Sequence, residues 1–278
     1  MKKILFVSLL LVYIFNCAFA AAGYPFTFKE SGSGAQSVIL IPGFACSGEV
    51  WNETVAQLQT NHKCYVLNMA GFAGVPADAA PDISDWVREI ARYIQTNHIE
   101  RPVIIGHSLG GVIAQWLAAD YPQLVSKIVV VDALPCLPAI SNAAFAASTK
   151  PDCSLFINSF TGMPEEQFYQ MQRVAMASMV SDTSKVTTAV QWSVKSDRNT
   201  MALIYCQLLN TDLRIKISNV KCPALIMLEP SFKALQSSVE EQYRNLKGAQ
   251  LNFADKGLHF IMYDDKDWYF AQLKNFIQ

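Results

Sequence analysis

Short apolar runs alternate along the chain with segments that are apolar on one helical face only. The apolar runs predict strands, at residues 24–28, 37–41, 63–69, 103–106, 127–131, 224–228 and 250–254. The one-faced segments, with apolar positions three or four residues apart, predict helices, at 50–58, 83–94, 109–119, 239–246 and 265–277. Wholly apolar strands that alternate with helices predict an α/β fold, with a mostly parallel sheet and helices on both faces.

The alternation stops between Leu134 and about Ile217. This stretch has no apolar run that predicts a buried strand, and it is rich in Ala, Met and Phe at helical spacing. We therefore predict a helical cap inserted above the sheet. The predicted organisation is a leader at 1–20, the core at 21–134, the cap at 135–217, and the rest of the core at 218–278.

The first twenty residues have the pattern of a secretory signal. Two lysines at positions 2 and 3 precede an apolar run over residues 4–15, and Ala18-Phe19-Ala20 has the small-x-small cleavage pattern. The run is short for a membrane span. We therefore expect an exported protein, periplasmic or secreted. Cys17 is an alternative lipidation site that would tether the chain to a membrane, although the asparagine before it fits that pattern poorly.

Composition narrows the class of partner. Hydrophobic residues make up 51% of the chain, charged residues 16%, and the formal net charge is −1. Without a Lys/Arg-rich run, the chain lacks the electrostatic footprint of a nucleic-acid binder. A small uncharged or amphiphilic ligand fits better, and the oligomeric state is not constrained.

Six cysteines follow the predicted leader, at positions 46, 64, 136, 153, 206 and 222. An even number in an exported chain permits disulfides, and Cys136–Cys153 and Cys206–Cys222 are plausible because each pair is close along the chain. The equal alternative is that several are small buried apolar residues. No Cys-x-x-Cys or Cys/His cluster predicts a metal site, and no cofactor is expected.

The apolar run at 103–106 leads into Gly106-His107-Ser108-Leu109-Gly110. This matches the nucleophile-elbow pattern G-x-S-x-G, in which a serine stands on a sharp turn between a strand and a helix. Side chains at Gly106 and Gly110 would collide where strand and helix approach. Ser108 is therefore the candidate nucleophile.

A serine nucleophile needs a base, and the base needs an orienting acid. Of the four histidines, His62 and His98 precede the elbow, and His107 points away from its neighbour Ser108. His259 remains, in the loop after the last strand, as the chain order of this architecture requires.

The acid stays open between two strand ends. Asp132 follows the apolar run 127–131, and Glu229 follows 224–228. Asp132 is favoured, although it could merely cap the next turn, and Pro230 restricts the backbone of Glu229. A third alternative is that no conventional acid is present. Asp255 lies in the histidine's own loop, and Asp197 and Asp212 are expected to cap helices or pair with arginines.

An oxyanion hole needs backbone amides aimed at the developing negative charge. The amide of Leu109, directly after the serine, is one candidate. The other is the amide of Phe44, in the loop Ile41-Pro42-Gly43-Phe44 after an earlier strand. The alternative for this loop is an ordinary Pro-Gly turn.

Together these motifs resemble the α/β-hydrolase superfamily, specifically its serine hydrolases with a helical cap. The resemblance rests on Ile41–Phe44, Gly106–Gly111, Val131-Asp132 and Leu258–Met262. It implies a cap after the strand that the family counts as its sixth, and an acid commonly after the seventh, where this chain has Glu229 and no aspartate. Some relatives carry the acid after the sixth strand, where Asp132 stands. A serine at 108 excludes the aspartate-based chemistry of dehalogenases and epoxide hydrolases.

The cap is expected to set substrate choice. Its candidate substrate-binding residues are Met163, Phe168, Met171 and Trp192, because thioether and aromatic side chains suit an adaptable apolar pocket. The equal alternative is that they pack the cap's own core.

The sequence thus predicts an exported serine hydrolase that cleaves carboxylic esters with apolar acyl or alcohol groups through an acyl-enzyme on Ser108. The alternatives are other chemistry of this fold (acyl transfer, thioester or C–C bond cleavage) and a catalytically weak ligand-binding protein on the same scaffold.

Overall fold

The computed structural model describes residues 23–277. Its centre is a seven-stranded sheet in the order β1-β3-β2-β4-β5-β6-β7. The strands are β1 Phe26–Ser31, β2 Gln36–Ile41, β3 His62–Met69, β4 Val103–His107, β5 Lys127–Val131, β6 Ala224–Leu228 and β7 Gln250–Phe253. The prediction of a mostly parallel α/β sheet is confirmed, since only β1 runs antiparallel to its neighbour, β3.

Helices cover both faces of the sheet. In chain order the core helices are α1 Asn52–Leu58, α2 Ile83–Thr96 and α3 Leu109–Asp120. Four helices follow β5, namely α4 Ser154–Thr161, α5 Glu165–Met179, α6 Thr183–Val194 and α7 Arg198–Leu209. The chain continues with α8 Gln236–Tyr243, α9 Ile261–Asp264 and α10 Lys266–Ile277. Helices α2, α3 and α8 pack on one face, and α1 and α10 pack on the other.

The parallel pairing brings the strand ends that matter to one edge. Gly106 of β4 lies beside Ile41 of β2, His107 lies beside Val131 of β5, and Leu228 of β6 lies beside Phe253 of β7. The loops after β2, β4, β5, β6 and β7 therefore open at the same edge of the sheet, where ligands bind in open α/β sheets.

Between β5 and β6 the described residues form helices and no strand. Helix α4 packs against α7, and α5 packs against α6. None of the residues of α4 is buried, and a disulfide between Cys153 and Cys206 joins its beginning to α7. The pairings considered from sequence were wrong, because Cys136 and Cys222 are free, buried thiols.

Several boundaries and one count differ from the expectations above. Strand β1, expected at 24–28, begins at Phe26 and ends at Ser31. Helix α8 begins and ends three residues earlier than expected, because the turn at 230–235 leads directly into it and Leu246 lies in the turn that follows. The strand before the cap, which the family counts as its sixth, is the fifth among the described residues. The leader at 1–20, with Cys17, lies outside those residues. Within 23–277, no helix has the length and apolar character needed to cross a bilayer.

Candidate active site

Ser108 stands on a strained turn between β4 and α3. Its backbone has φ +52° and ψ −119°, a conformation that costs a non-glycine residue about 1–3 kcal/mol. A Cβ on Gly106 would lie 2.0 Å from the carbonyl oxygen of Gly110, and one on Gly110 would lie 2.2 Å from that of Ile41. The two glycines therefore allow strand, helix and neighbouring loop to approach closely, and Ser108 stays partly exposed at the edge of the sheet.

Asp132 is the carboxylate that contacts His259. The Nδ1–H of His259 donates to Oδ2 of Asp132 at 2.6 Å, and the backbone amide of Glu229 donates to Oδ1 at 2.7 Å. Asp132 has a positive φ of 51°, and its side chain is buried. Both carboxylate oxygens are thus engaged, so the side chain is fixed in the position that orients the imidazole.

The pair sets the proton affinity of the histidine. Burial by itself lowers the pKa of His259. The hydrogen bond that His259 donates to Asp132, and the charges of Asp132 and Glu229, outweigh that effect, so the pKa lies above its usual 6.5. The bond to Asp132 keeps the proton of the neutral imidazole on Nδ1. Nε2 is therefore the ring nitrogen that can accept a proton.

Glu229 does not contact the imidazole. Its carboxylate accepts a hydrogen bond from the hydroxyl of Ser231 at 2.6 Å, and burial, with the nearby charge of Asp132, raises the pKa of Glu229 above its usual value. It acts on the site through its main-chain bond to Asp132 and through its charge, which helps to raise the pKa of His259. Of the two acids that the sequence left open, the geometry therefore places Asp132 on His259.

His107 holds the loop that carries His259. Its Nε2–H donates to the backbone carbonyl of His259 at 3.0 Å, and the two rings lie 4.7 Å apart. Burial lowers the pKa of His107 well below 6.5, so it stays neutral. The sequence analysis set His107 aside because it cannot reach Ser108. No sequence signal could have found this contact, which joins residues 152 positions apart.

The two expected oxyanion donors flank the serine. Gly43 packs directly on the elbow, since a Cβ there would lie 3.3 Å from Cβ of Ser108. Leu109 is the first residue of α3, where backbone amides have no partner within the helix. Among residues 23–277, neither the amide of Phe44 nor that of Leu109 donates to another group. Their role as an oxyanion hole stays a prediction.

An aromatic wall extends from Phe44 into the cap. The ring of Phe44 lies 5.6 Å from that of Tyr205 on α7, and Tyr205 lies 5.6 Å from Phe156 and 6.3 Å from Phe160, both on α4. All four are partly exposed. The sequence analysis missed Tyr205, Phe156 and Phe160, because helical spacing does not reveal which face of a cap helix is turned toward the core.

The four cap residues expected to bind substrate do not lie together. Phe168 is fully buried, with the guanidinium of Arg198 4.2 Å from its ring. Met163 and Met171 pack against the same hydrophobic cluster as Phe168, whereas the buried Trp192 belongs to a second cluster. The burial of Phe168 and Trp192 matches the alternative of packing within the cap, and contact of these four residues with a substrate stays a prediction.

Other acids stay outside the site. Asp197 caps α7 through the amide of Thr200, Asp212 pairs with Arg214, and the exposed Asp255 pairs with Lys233. Across the residues that the structure describes, no three His, Cys, Asp or Glu side chains converge as metal ligands would.

Comparison with known proteins agrees with this geometry. A family model described as the alpha/beta hydrolase fold matches residues 36–162, a range that includes Ser108 and Asp132. Pimeloyl-acyl-carrier-protein methyl ester esterase of Vibrio campbellii is 25% identical over 205 residues, which are 70% of this chain and 76% of that protein.

Solved structures show the same fold. The esterase EaEST from Exiguobacterium antarcticum superposes with a TM-score of 0.75 at 17% identity, over 90% of this chain and 94% of that one. The enol-lactonase from Burkholderia xenovorans LB400 superposes with a TM-score of 0.72 at 16% identity, over 91% of this chain and 96% of that one. At these identities the likeness establishes the fold alone.

Proposed function

The chain belongs to the α/β-hydrolase superfamily, and from that premise we propose that it is a serine hydrolase that cleaves carboxylic esters through an acyl-enzyme on Ser108. The observation that carries the proposal is the 2.6 Å bond between His259 and Asp132, at the same sheet edge as an elbow serine. The ester-cleaving relative from Vibrio campbellii supports the reaction class.

Each residue has a chemical role in the proposed cycle. His259 Nε2 takes the proton of the Ser108 hydroxyl as Oγ attacks the ester carbonyl, and the amides of Phe44 and Leu109 stabilise the oxyanion. Protonated His259 then gives its proton to the leaving alcohol, and the acyl group stays on Ser108. Water attacks the acyl-enzyme with His259 again as base, which releases the carboxylic acid and restores the serine.

We propose an ester with an apolar acyl or alcohol part. The support is the aromatic wall of Phe44, Tyr205, Phe156 and Phe160, which starts one residue from the Gly43 contact with Ser108. Partly exposed aromatic rings beside a reactive serine favour hydrocarbon over charged groups.

A series of p-nitrophenyl esters tests the reaction and the preference. We expect kcat/KM to rise from acetate to hexanoate, and Ser108→Ala to lower kcat by about 10⁶-fold. In Phe160→Ala we expect kcat/KM to rise less from acetate to hexanoate than in the wild type, while kcat/KM for the acetate ester is unchanged. Turnover retained by Ser108→Ala contradicts the mechanism, and kcat/KM independent of chain length contradicts the apolar site.

We also propose that the protein is exported to the periplasm or beyond the cell. The leader pattern of residues 1–20 supports this, as does the Cys153–Cys206 disulfide, because disulfides persist in oxidising compartments.

A further inference from the structure

Three main-chain groups around His259 have hydrogen-bond partners. The amide of Leu258 donates to Oδ2 of Asp264 at 2.9 Å, the carbonyl of His259 accepts from His107, and the amide of Phe260 donates to the carbonyl of Met179 at 3.2 Å. Met179 ends α5 in the cap. The loop that carries the imidazole is therefore held from two sides, by the elbow and by the cap.

The carboxylate of Asp264 joins that loop to the cap. Besides the amide of Leu258, it accepts the amides of Ser181 and Asp182, each at 3.0 Å. These two residues form the turn between α5 and α6. Hydrogen bonds to a carboxylate are about twice as strong as those between neutral groups, so one side chain links the cap turn to the histidine loop through several strong contacts.

The loop is shaped around this side chain. Gly257 has a φ of +95°, and a Cβ there would lie 2.6 Å from Cβ of Asp264. A side chain at 257 would therefore push the loop off the carboxylate. The backbone two residues before His259 thus lies close to Asp264 and leaves no room for a side chain at position 257.

We propose that Asp264 is a positioning residue of the reaction, whose carboxylate joins the cap turn at 181–182 to the amide of Leu258 and so holds His259 against Asp132. This rests on the proposed function for the role of His259 as base. The consequence is that the orientation of the base depends on where the cap sits, so a substrate that shifts the cap shifts the base.

A loosened His259 has a different proton affinity. The titratable groups that face it are Asp132 after β5, Glu229 after β6 and His107 at the end of β4. Asp264 bonds neither ring nitrogen, so its substitution acts on the imidazole through the loop and through the loss of a charge that also reaches Glu229. When the contact between Nδ1 and Asp132 lengthens, the carboxylate raises the pKa of His259 less. The lowering effect of burial then prevails, and the pKa falls.

The test compares Asp264→Asn with Asp182→Asn. Each variant removes one carboxylate where α9 meets the cap turn. The Asp182 carboxylate differs from that of Asp264 in its partners, since it accepts the amide and the hydroxyl of Ser184 at the start of α6. For Asp264→Asn we expect kcat for p-nitrophenyl butyrate to fall about 10-fold, because small misplacements of a catalytic group have large effects on rate. KM changes by less than about twofold, since the aromatic wall is untouched. Asp182→Asn keeps wild-type kcat.

A second measurement does not depend on turnover. NMR spectra of protein labelled with 15N-histidine contain a resonance of His259 that is absent from the spectrum of His259→Gln. The change of this resonance with pH gives the pKa of the His259 imidazole. We expect this pKa to be lower in Asp264→Asn than in Asp182→Asn by about half a unit. The same spectra show whether each variant is folded.

Three outcomes would contradict the positioning role of Asp264 or the proposed function, and they can be told apart. Unchanged kcat and imidazole pKa in Asp264→Asn overturn the positioning role. A lower kcat with an unchanged pKa also overturns it, because the loss is then one of general stability. If wild-type protein turns over no ester, the proposed function fails, and the imidazole titration still decides what Asp264 does.

Discussion

Ser108 and Asp132 each follow a central strand and each has φ near +50°. A non-glycine side chain avoids this region, at a cost of about 1–3 kcal/mol. Here the strained turns direct both side chains to the sheet edge where His259 lies, with Asp132 further held by the amide of Glu229. Two of the six non-glycine residues with positive φ in the described part of the chain are thus residues that the proposed reaction requires.

Replacing each acid separately tests which one serves His259. We expect Asp132→Asn to lower kcat by about 10⁴-fold, because the wrong imidazole tautomer and orientation become available. Glu229→Gln keeps kcat within about threefold, since the Asp132 contact is made by its main-chain amide. A loss in Glu229→Gln as large as that in Asp132→Asn contradicts the assignment.

The pH dependence of kcat/KM tests the effect of the Glu229 charge on the pKa of His259. The base works only when neutral, so kcat/KM rises with pH through the pKa of His259, which lies above 6.5 in the wild type. Glu229→Gln removes one of the charges that raise this pKa, and we expect the acidic limb of its profile to move to lower pH. A limb that moves to higher pH contradicts the electrostatic account.

At this scale the sequence predicted Ser108 and His259 from a local motif and from chain order. It left the acid between Asp132 and Glu229, because that choice depends on which side chain turns toward a loop more than a hundred residues away. The contacts of His107 and Asp264 with the histidine loop and the cap have no local pattern at all.

The geometry of the elbow depends on its glycines. We expect Gly106→Ala to lower the free energy of unfolding by about 3 kcal/mol or more, because its Cβ meets main-chain atoms at 2.0 Å. Gly74→Ala is the matched control, with a positive φ of 86° but nothing within 4 Å, and is expected to cost only about 1 kcal/mol. Urea unfolding measures both, and equal losses contradict the close approach of β4 and α3.

In the cap, apolar spacing predicted helices but not their neighbours. Pairing cysteines by nearness along the chain failed because α4 packs on α7, which brings together Cys153 and Cys206 across 53 residues. The same packing places Phe156, Phe160 and Tyr205 in the aromatic wall. The strongly amphipathic α2 differs from the cap helices. Its predicted segment, 83–94, has the observed start at Ile83 and stops just before the observed end at Thr96, because its apolar pattern is local.

For the whole molecule, the alternation of strands and helices predicted a mostly parallel sheet. The antiparallel edge strand β1 was not predicted, since its pairing with β3 rather than with β2, the next strand along the chain, has no local sequence signal.

Export and the disulfide are tested together. We expect chain exported with residues 1–20 to contain linked Cys153 and Cys206 peptides, and chain produced in the cytoplasm without them to contain free thiols there. Closing a 53-residue separation stabilises the linked form by about 4 kcal/mol in the chain-entropy model. Exported protein with both thiols free contradicts the pairing, and protein retained in the cytoplasm contradicts export.

The central claim is that Ser108 is a nucleophile activated by His259 and Asp132. The most direct measurement is reaction with a fluorophosphonate, followed by intact mass and peptide mapping. The account predicts about one phosphonyl group per chain, located on Ser108, with labelling slowed by about 10³-fold or more in Asp132→Asn. A folded wild-type protein that stays unlabelled, or that is labelled at a residue other than Ser108, contradicts it.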